Sequence, residues 1–291
     1  MSIHGTIDDI ALSMGARFTP KYFRERFDSP SVTEHLQAVN VELPEFNGEG
    51  DYEMPASSLV GELSAAFRLA RWDGENAPTV IYHHGASEIP FDYGFKRIFP
   101  PKKQLARVNL FLVRAPFHRS MKDFLHGIRT LANVVAMMAV SVRVIDGIVK
   151  ANREKKVPRV LVAGTSLGGF ITNLHHIHCD SADAYTPLLA GLAMNDAYLR
   201  SAYSRAVDPQ AKENPADIES VLNFQAEFAG KDSRNVFPLL ARHDRIIRYP
   251  VQKDSYGDRP VVTIEKGHTT GALAYGALRR HVFDVLQRQD E

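Results

Sequence analysis

Apolar runs alternate with amphipathic stretches along most of the chain. Val60 to Arg71, Thr79-Val80-Ile81-Tyr82-His83-His84 and Val108 to Val113 each predict a strand. Between 121 and 150 the period changes. Leu131, Val134, Val135, Met138, Val142 and Ile145 recur at three and four residues, which predicts a long helix with one apolar face. Val157 to Ala163 is an apolar run suited to a strand buried on both faces, and a helix should follow from about Leu167 to His178. Leu188 to Met194, Val236 to Ala241 and Val261 to Glu265 predict later strands, before a last helix from about Gly271 to Gln287. Strands alternating with helices predict an α/β domain, its mostly parallel sheet covered on both faces. Right-handed crossovers then align the strand C-termini along one edge, where ligands bind.

Two stretches depart from this pattern. Residues 1–55 carry Pro20, Pro30, Pro44 and Pro55 and no long period. They read as an N-terminal extension packed on a domain of residues 56–291, with short helices near Ile7 and Tyr22. The second stretch, 197–230, is long for a plain connection. It holds a helix start, with Asn214 as N-cap, Pro215 at the first position and Asp217 in the first turn. Ile218, Val221, Leu222 and Phe228 mark its apolar face. A small lid and an ordinary crossover with a surface loop fit this segment equally well.

Composition narrows the classes. Hydrophobic residues at 44% and charged residues at 24% allow a sizeable core. Lys plus Arg (35) nearly balances Asp plus Glu (34), so no field favours nucleic acid or an anionic membrane. The single cysteine, Cys179, excludes an intramolecular disulfide and fits a reducing compartment. Met1 to Met14 lacks a basic start followed by an apolar run, so no signal peptide is expected and the predicted location is cytoplasmic. Arg143 and Asp146 interrupt the most apolar stretch, Leu131 to Val149, which favours a buried helix over a membrane span.

Gly164-Thr165-Ser166-Leu167-Gly168 carries the candidate chemistry. A serine hydroxyl is a weak nucleophile and needs a neighbouring base and donors for an oxyanion. A sharp strand-to-helix turn lifts it out of the sheet and crowds its flanks, which calls for small residues two before and two after it. Gly164 and Gly168 stand there, and Gly169 adds room. The bare pattern arises by chance on the order of once in twenty chains of this length. The strand before it and the helix after it make it specific.

With that motif, residues 56–291 resemble the α/β-hydrolase superfamily. The family places its partners in the order serine, acid, histidine. Phe237-Pro-Leu-Leu-Ala-Arg-His-Asp-Arg-Ile-Ile is similar to the family's late strand and acid, with Asp244 in the acid position. Gly267-His268 matches its terminal Gly-His pair. The resemblance implies that His268 takes the proton of Ser166 while Asp244 fixes the imidazole tautomer. Asp196, beyond another predicted strand, is the rival acid; His243 reads as a surface residue. His83-His84-Gly85-Ala86-Ser87 resembles the family's oxyanion loop, which implies N–H donors from Ala86 and from Leu167, with His84 bracing the loop. The variant with three glycines after the histidine is absent, which disfavours the hormone-sensitive-lipase-like branch.

The resemblance implies a hydrolase without cofactor, cleaving a small-molecule carboxylic ester through an acyl-enzyme. Thioester, amide and C–C cleavage use the same residues, and a non-catalytic binding scaffold is the rival from another class. Dehalogenase and epoxide hydrolase relatives carry aspartate where Ser166 stands. Phe91, Tyr93, Phe117, Met137 and Tyr198 are candidate pocket walls. His175, His176, His178 and Cys179 are metal-ligand types, and His175 with Cys179 could share a helix face. They read instead as histidines at a helix C-terminus, away from the ligand edge, and no metal is expected.

Overall fold

The computed structural model describes residues 4–9, 21–100 and 106–288. Its centre is a nine-stranded sheet of β1 (Asn40–Val41), β2 (Gly50–Ser58), β3 (Gly61–Arg71), β4 (Thr79–His83), β5 (Asn109–Arg114), β6 (Val160–Thr165), β7 (Ala184–Leu188), β8 (Leu239–Ala241) and β9 (Val262–Ile264). They lie in the order β1-β2-β3-β5-β4-β6-β7-β8-β9. β5, β4, β6, β7, β8 and β9 run parallel; β1, β2 and β3 join the β5 edge in antiparallel pairs.

The two-residue period of the central strands splits their side chains between two cores. Ile81, Val160 and Val162 pack with the helices Leu131–Glu154 and Leu167–His178. Val80, Tyr82, Leu161 and Ala163 pack with Phe95–Ile98 and the last long helix, Tyr275–Leu286. This double burial is why these strands read as unbroken apolar runs. The helix Leu131–Glu154 is long and apolar enough to cross a membrane by length and composition, yet 78% of its apolar window is buried within the protein. Thr130 caps it by accepting from the Asn133 N–H at 3.1 Å.

Several sequence expectations shift. The run Leu188 to Met194 is a buried loop between β7 and the helix Met194–Leu199. Its backbone is satisfied by side chains: Tyr256 Oη donates to the Ala190 carbonyl at 2.9 Å, and Gln252 Nε2 to the Ala193 carbonyl at 2.8 Å. A loop paired in this way can be as apolar as a strand. The stretch 121–150 is two helices, Met121–Gly127 and Leu131–Glu154. The last helix is likewise divided into His268–Ala272 and Tyr275–Leu286.

At the N-terminus, residues 4–9 are helical, as expected near Ile7, but Tyr22 is not. It forms a single bridge to Val207, and its N–H donates to the Ala206 carbonyl at 2.9 Å. The boundary drawn at residue 55 falls inside β2, which pairs with β3 along its whole length. Pro55 lies just beyond the β1 pairing, which ends at Ala56; there β2 is the sheet edge and tolerates a missing donor. The segment 197–230 folds into short helices including Pro209–Glu213, Pro215–Val221 and Gln225–Ala229. Its own Ala211, Ile218, Leu222 and Phe224 are buried.

Candidate active site

β6 ends at Thr165, and the helix Leu167–His178 begins at Leu167, which leaves Ser166 alone at the turn with φ 57° and ψ −114°. Positive φ in a non-glycine residue is strained, and it lifts this side chain off the sheet. The flanking glycines are a steric requirement. A Cβ on Gly164 would lie 2.3 Å from the Gly168 carbonyl oxygen, and one on Gly168 would lie 2.1 Å from that of His83.

Asp244 follows β8, and His268 follows β9. His268 Nε2 stands 3.0 Å from Ser166 Oγ, and Nδ1 stands 2.7 Å from Asp244 Oδ2. Asp244 Oδ1 accepts the N–H groups of Ile246 (2.9 Å) and Ile247 (2.7 Å), which aims its other oxygen at the ring. Burial pulls the His268 pKa down, but the charge and hydrogen bond of Asp244, with a further contribution from Asp8, turn the net shift upward. Nδ1–H donates to the carboxylate, so Nε2 faces Ser166 as the acceptor.

Ala86, in the loop after β4, lines the same cavity as Ser166, Leu167 and His268. The loop is braced from three sides. His84 Nε2 accepts the Ala115 N–H at 3.0 Å, which leaves its Nδ1–H to donate to the Gly85 carbonyl at 2.8 Å. Burial pushes the pKa of His84 far down, so this ring stays neutral. Glu88 accepts the N–H of Gly85 at 2.9 Å and of Gly94 at 2.7 Å. His118 Nε2 lies 2.9 Å from the Ala86 carbonyl, and its Nδ1 2.9 Å from that of Pro116. The sequence reading missed Glu88 and His118. A Glu three residues after Gly85 was the one local signal for the first; His118 had none.

No sequence-family model and no curated protein sequence matches this chain. Solved structures do. An acylaminoacyl peptidase of Pyrococcus horikoshii superposes with a TM-score of 0.58 at 13% identity, over 85% of this chain and 44% of that one. The chain thus spans less than half of that peptidase. An acetyl xylan esterase of Paenibacillus sp. R4 gives 0.56 at 11% identity, over 97% and 95% of the two chains. Acetyl xylan esterase 1 of Thermoanaerobacterium sp. JW/SL YS485 gives 0.53 at 14% identity, over 89% and 96%. This chain has the α/β-hydrolase fold.

In this α/β-hydrolase fold Ser166, Asp244, His268 and Ala86 all follow parallel strands at their C-terminal ends, the edge where such sheets bind ligands. The cavity there measures about 600 Å³. Ile89, Phe170, Met194, Tyr203 and Leu273 contribute to its walls. Of the expected wall residues, Tyr93 and Tyr198 line it. Met137 is instead buried in the core, Phe91 lies under the guanidinium of Arg68, and Phe117 packs on His126.

Asp196 sits on the helix Met194–Leu199 and forms a two-pronged ion pair with Arg248, Nε to Oδ2 at 2.9 Å. His243 Nε2 is 3.1 Å from Glu265 and half-buried at the surface. At the far end of the helix Leu167–His178, Asp146 joins His175 and Cys179, with one ligand atom of each within 4.8 Å of the others. That third member comes from the helix Leu131–Glu154 and was invisible to spacing. Asp146 is already held by the Lys150 ammonium at 2.8 Å and the Ser181 hydroxyl at 2.8 Å. Burial pushes the Cys179 thiol up to about 11. In this arrangement Asp146 is engaged by a cation and a hydroxyl, and Cys179 is a protonated thiol.

Proposed function

We propose that this protein is a serine hydrolase that cleaves an uncharged carboxylic ester through an acyl-enzyme. The observation that carries the reading is the line from Ser166 Oγ through His268 to Asp244, with steps of 3.0 and 2.7 Å, at the floor of a cavity. His268 Nε2 takes the hydroxyl proton as Ser166 Oγ attacks the ester carbonyl. Asp244 stabilises the imidazolium that results. The N–H groups of Leu167 and Ala86 receive the developing oxyanion, and His268 then protonates the departing alcohol. Water, activated by the same imidazole, attacks the acyl-serine and releases the acid. Among the described residues that line the cavity there is no lysine or arginine, and the walls are mostly apolar. An acyl group with an anionic end would find no counter-charge there, which supports an uncharged acyl chain.

The test is labelling with a fluorophosphonate probe. The folded protein should label, and Ser166→Ala should abolish labelling and lower kcat by about 10⁵–10⁶-fold. A folded wild-type protein that stays unlabelled overturns the reading. A matched panel of p-nitrophenyl esters and acyl-thioesters then separates ester from thioester chemistry.

A further inference from the structure

We propose that Asp8, brought in by the N-terminal segment, is a positioning residue for His268, fixing the turn that carries the imidazole and setting the charge beside it. The proposal rests on the reading of Ser166, Asp244 and His268 as a catalytic triad.

Asp8 is fully buried. Its Oδ2 accepts the His268 N–H at 2.8 Å, and its Oδ1 accepts the Thr269 N–H at 2.9 Å. Oδ2 also lies 3.4 Å from the N–H of Arg245, the residue after Asp244. A single carboxylate, some 260 positions away in sequence, therefore ties together the two loops that carry the base and its acid. The contact depends on the glycine of the Gly-His pair. A Cβ on Gly267 would stand 2.7 Å from Asp8 Oδ2 and 2.8 Å from the His4 carbonyl. His4 adds a second latch: its Nδ1 is 3.2 Å from Thr270 Oγ1, which accepts the Gly267 N–H at 2.9 Å.

The other charges around this turn are largely matched. Arg245 Nη1 is 2.5 Å from Asp9 Oδ2, with Arg205 4.0 Å from the other oxygen of Asp9. His243 stacks on His4 and pairs with Glu265, which also holds Arg242. Asp244 and Asp8 are the two carboxylates that act directly on His268. Both favour its protonated form. When His268 accepts the proton of Ser166 it becomes a cation, and the Asp8 carboxylate is in place before the charge develops.

Asp8→Asn tests this, because the amide can accept through one oxygen only and carries no charge. In the full chain, with p-nitrophenyl butyrate as probe, kcat should fall about tenfold with KM little changed. Loss of the negative charge disfavours the imidazolium, so the acid limb of kcat/KM should move to lower pH by about half a unit. Gly267→Ala, which displaces an intact Asp8, should reproduce both effects. Unchanged kcat and acid limb in folded Asp8→Asn overturn the proposal. So does a loss of kcat that tracks thermal destabilisation while the limb stays fixed, since a merely structural residue would give that result. The downfield NMR resonance of the His268 Nδ1 proton titrates with the ring whether or not there is turnover. If wild-type protein resists the fluorophosphonate, the hydrolase reading falls. The NMR titration of Asp8→Asn still decides whether Asp8 sets the state of His268.

Discussion

Two Asp–His pairs lie at opposite ends of the helix Leu167–His178, and they behave in opposite ways. At the N-terminal end His268 meets Asp244 at 2.7 Å and Ser166 at 3.0 Å. At the C-terminal end His175 Nε2 is 3.8 Å from Asp146, and neither ring nitrogen has a hydrogen-bond partner among the described residues. The first histidine is shifted up; burial pushes the second down to about 4. Burial is common to both, so it does not decide the outcome. Asp244 gives one oxygen to backbone N–H groups and the other to the imidazole, whereas Asp146 is held by Lys150 and Ser181. The carboxylate hydrogen-bonded to the ring outweighs desolvation, whereas the one 3.8 Å away, engaged with Lys150 and Ser181, raises the histidine too little to do so.

The sharpest way to break this comparison is to remove the same charge at both ends. Asp244→Asn should lower kcat by about 10⁴-fold, since the amide favours the wrong imidazole tautomer. Asp146→Asn should leave kcat within about twofold and cost about 1–3 kcal/mol of stability through its lost buried partners. Equal effects on kcat, measured alongside urea unfolding, would erase the distinction.

Acid should separate the pairs next. With His268 as the proposed base, activity should fall as pH drops through a value above the ordinary 6.5. His175 makes the reverse contribution to stability. Its folded pKa lies below the unfolded one, so the unfolded chain binds more protons beneath 6.5. That share of stability is present above 6.5 and is lost as pH falls toward about 4. His175→Gln should flatten this part of the acid unfolding curve without moving the activity limb. An unaltered slope across that window would count against the neutral, buried assignment.

The smallest expected effect is at Cys179. Its thiol, pushed up to about 11, should react with Ellman's reagent far more slowly in the native chain than after unfolding. Cys179→Ser should change kcat by less than about twofold. Rapid native modification would mean that this end of the helix is more open than its packing indicates.

The parts of the site that could be read in the sequence are those where local geometry dictates residue type. Gly164 and Gly168 are legible because no side chain fits between the turn and its neighbours. Gly267-His268 is legible as a pair, although the glycine answers to Asp8, which no local pattern connects to it. The central strands were legible from double burial. The loop at Leu188 to Met194 was misread for the same reason, since apolar content does not tell a ladder from a loop held by Gln252 and Tyr256. β2 was hidden by Pro55, and His118 by the fact that its partner is a backbone carbonyl of a loop 32 residues away; Glu88 is bonded within its own loop, to the N–H groups of Gly85 and Gly94, which no residue pattern announces.

The strained turn at Ser166 also carries a local cost. Glycine would occupy φ 57° with about 1 kcal/mol less backbone strain, against which stand its greater entropy loss on folding and the lost hydrogen bond to His268. The hydroxyl of Ser166 is therefore held in place by the packing of the turn, against the local preference of its own backbone.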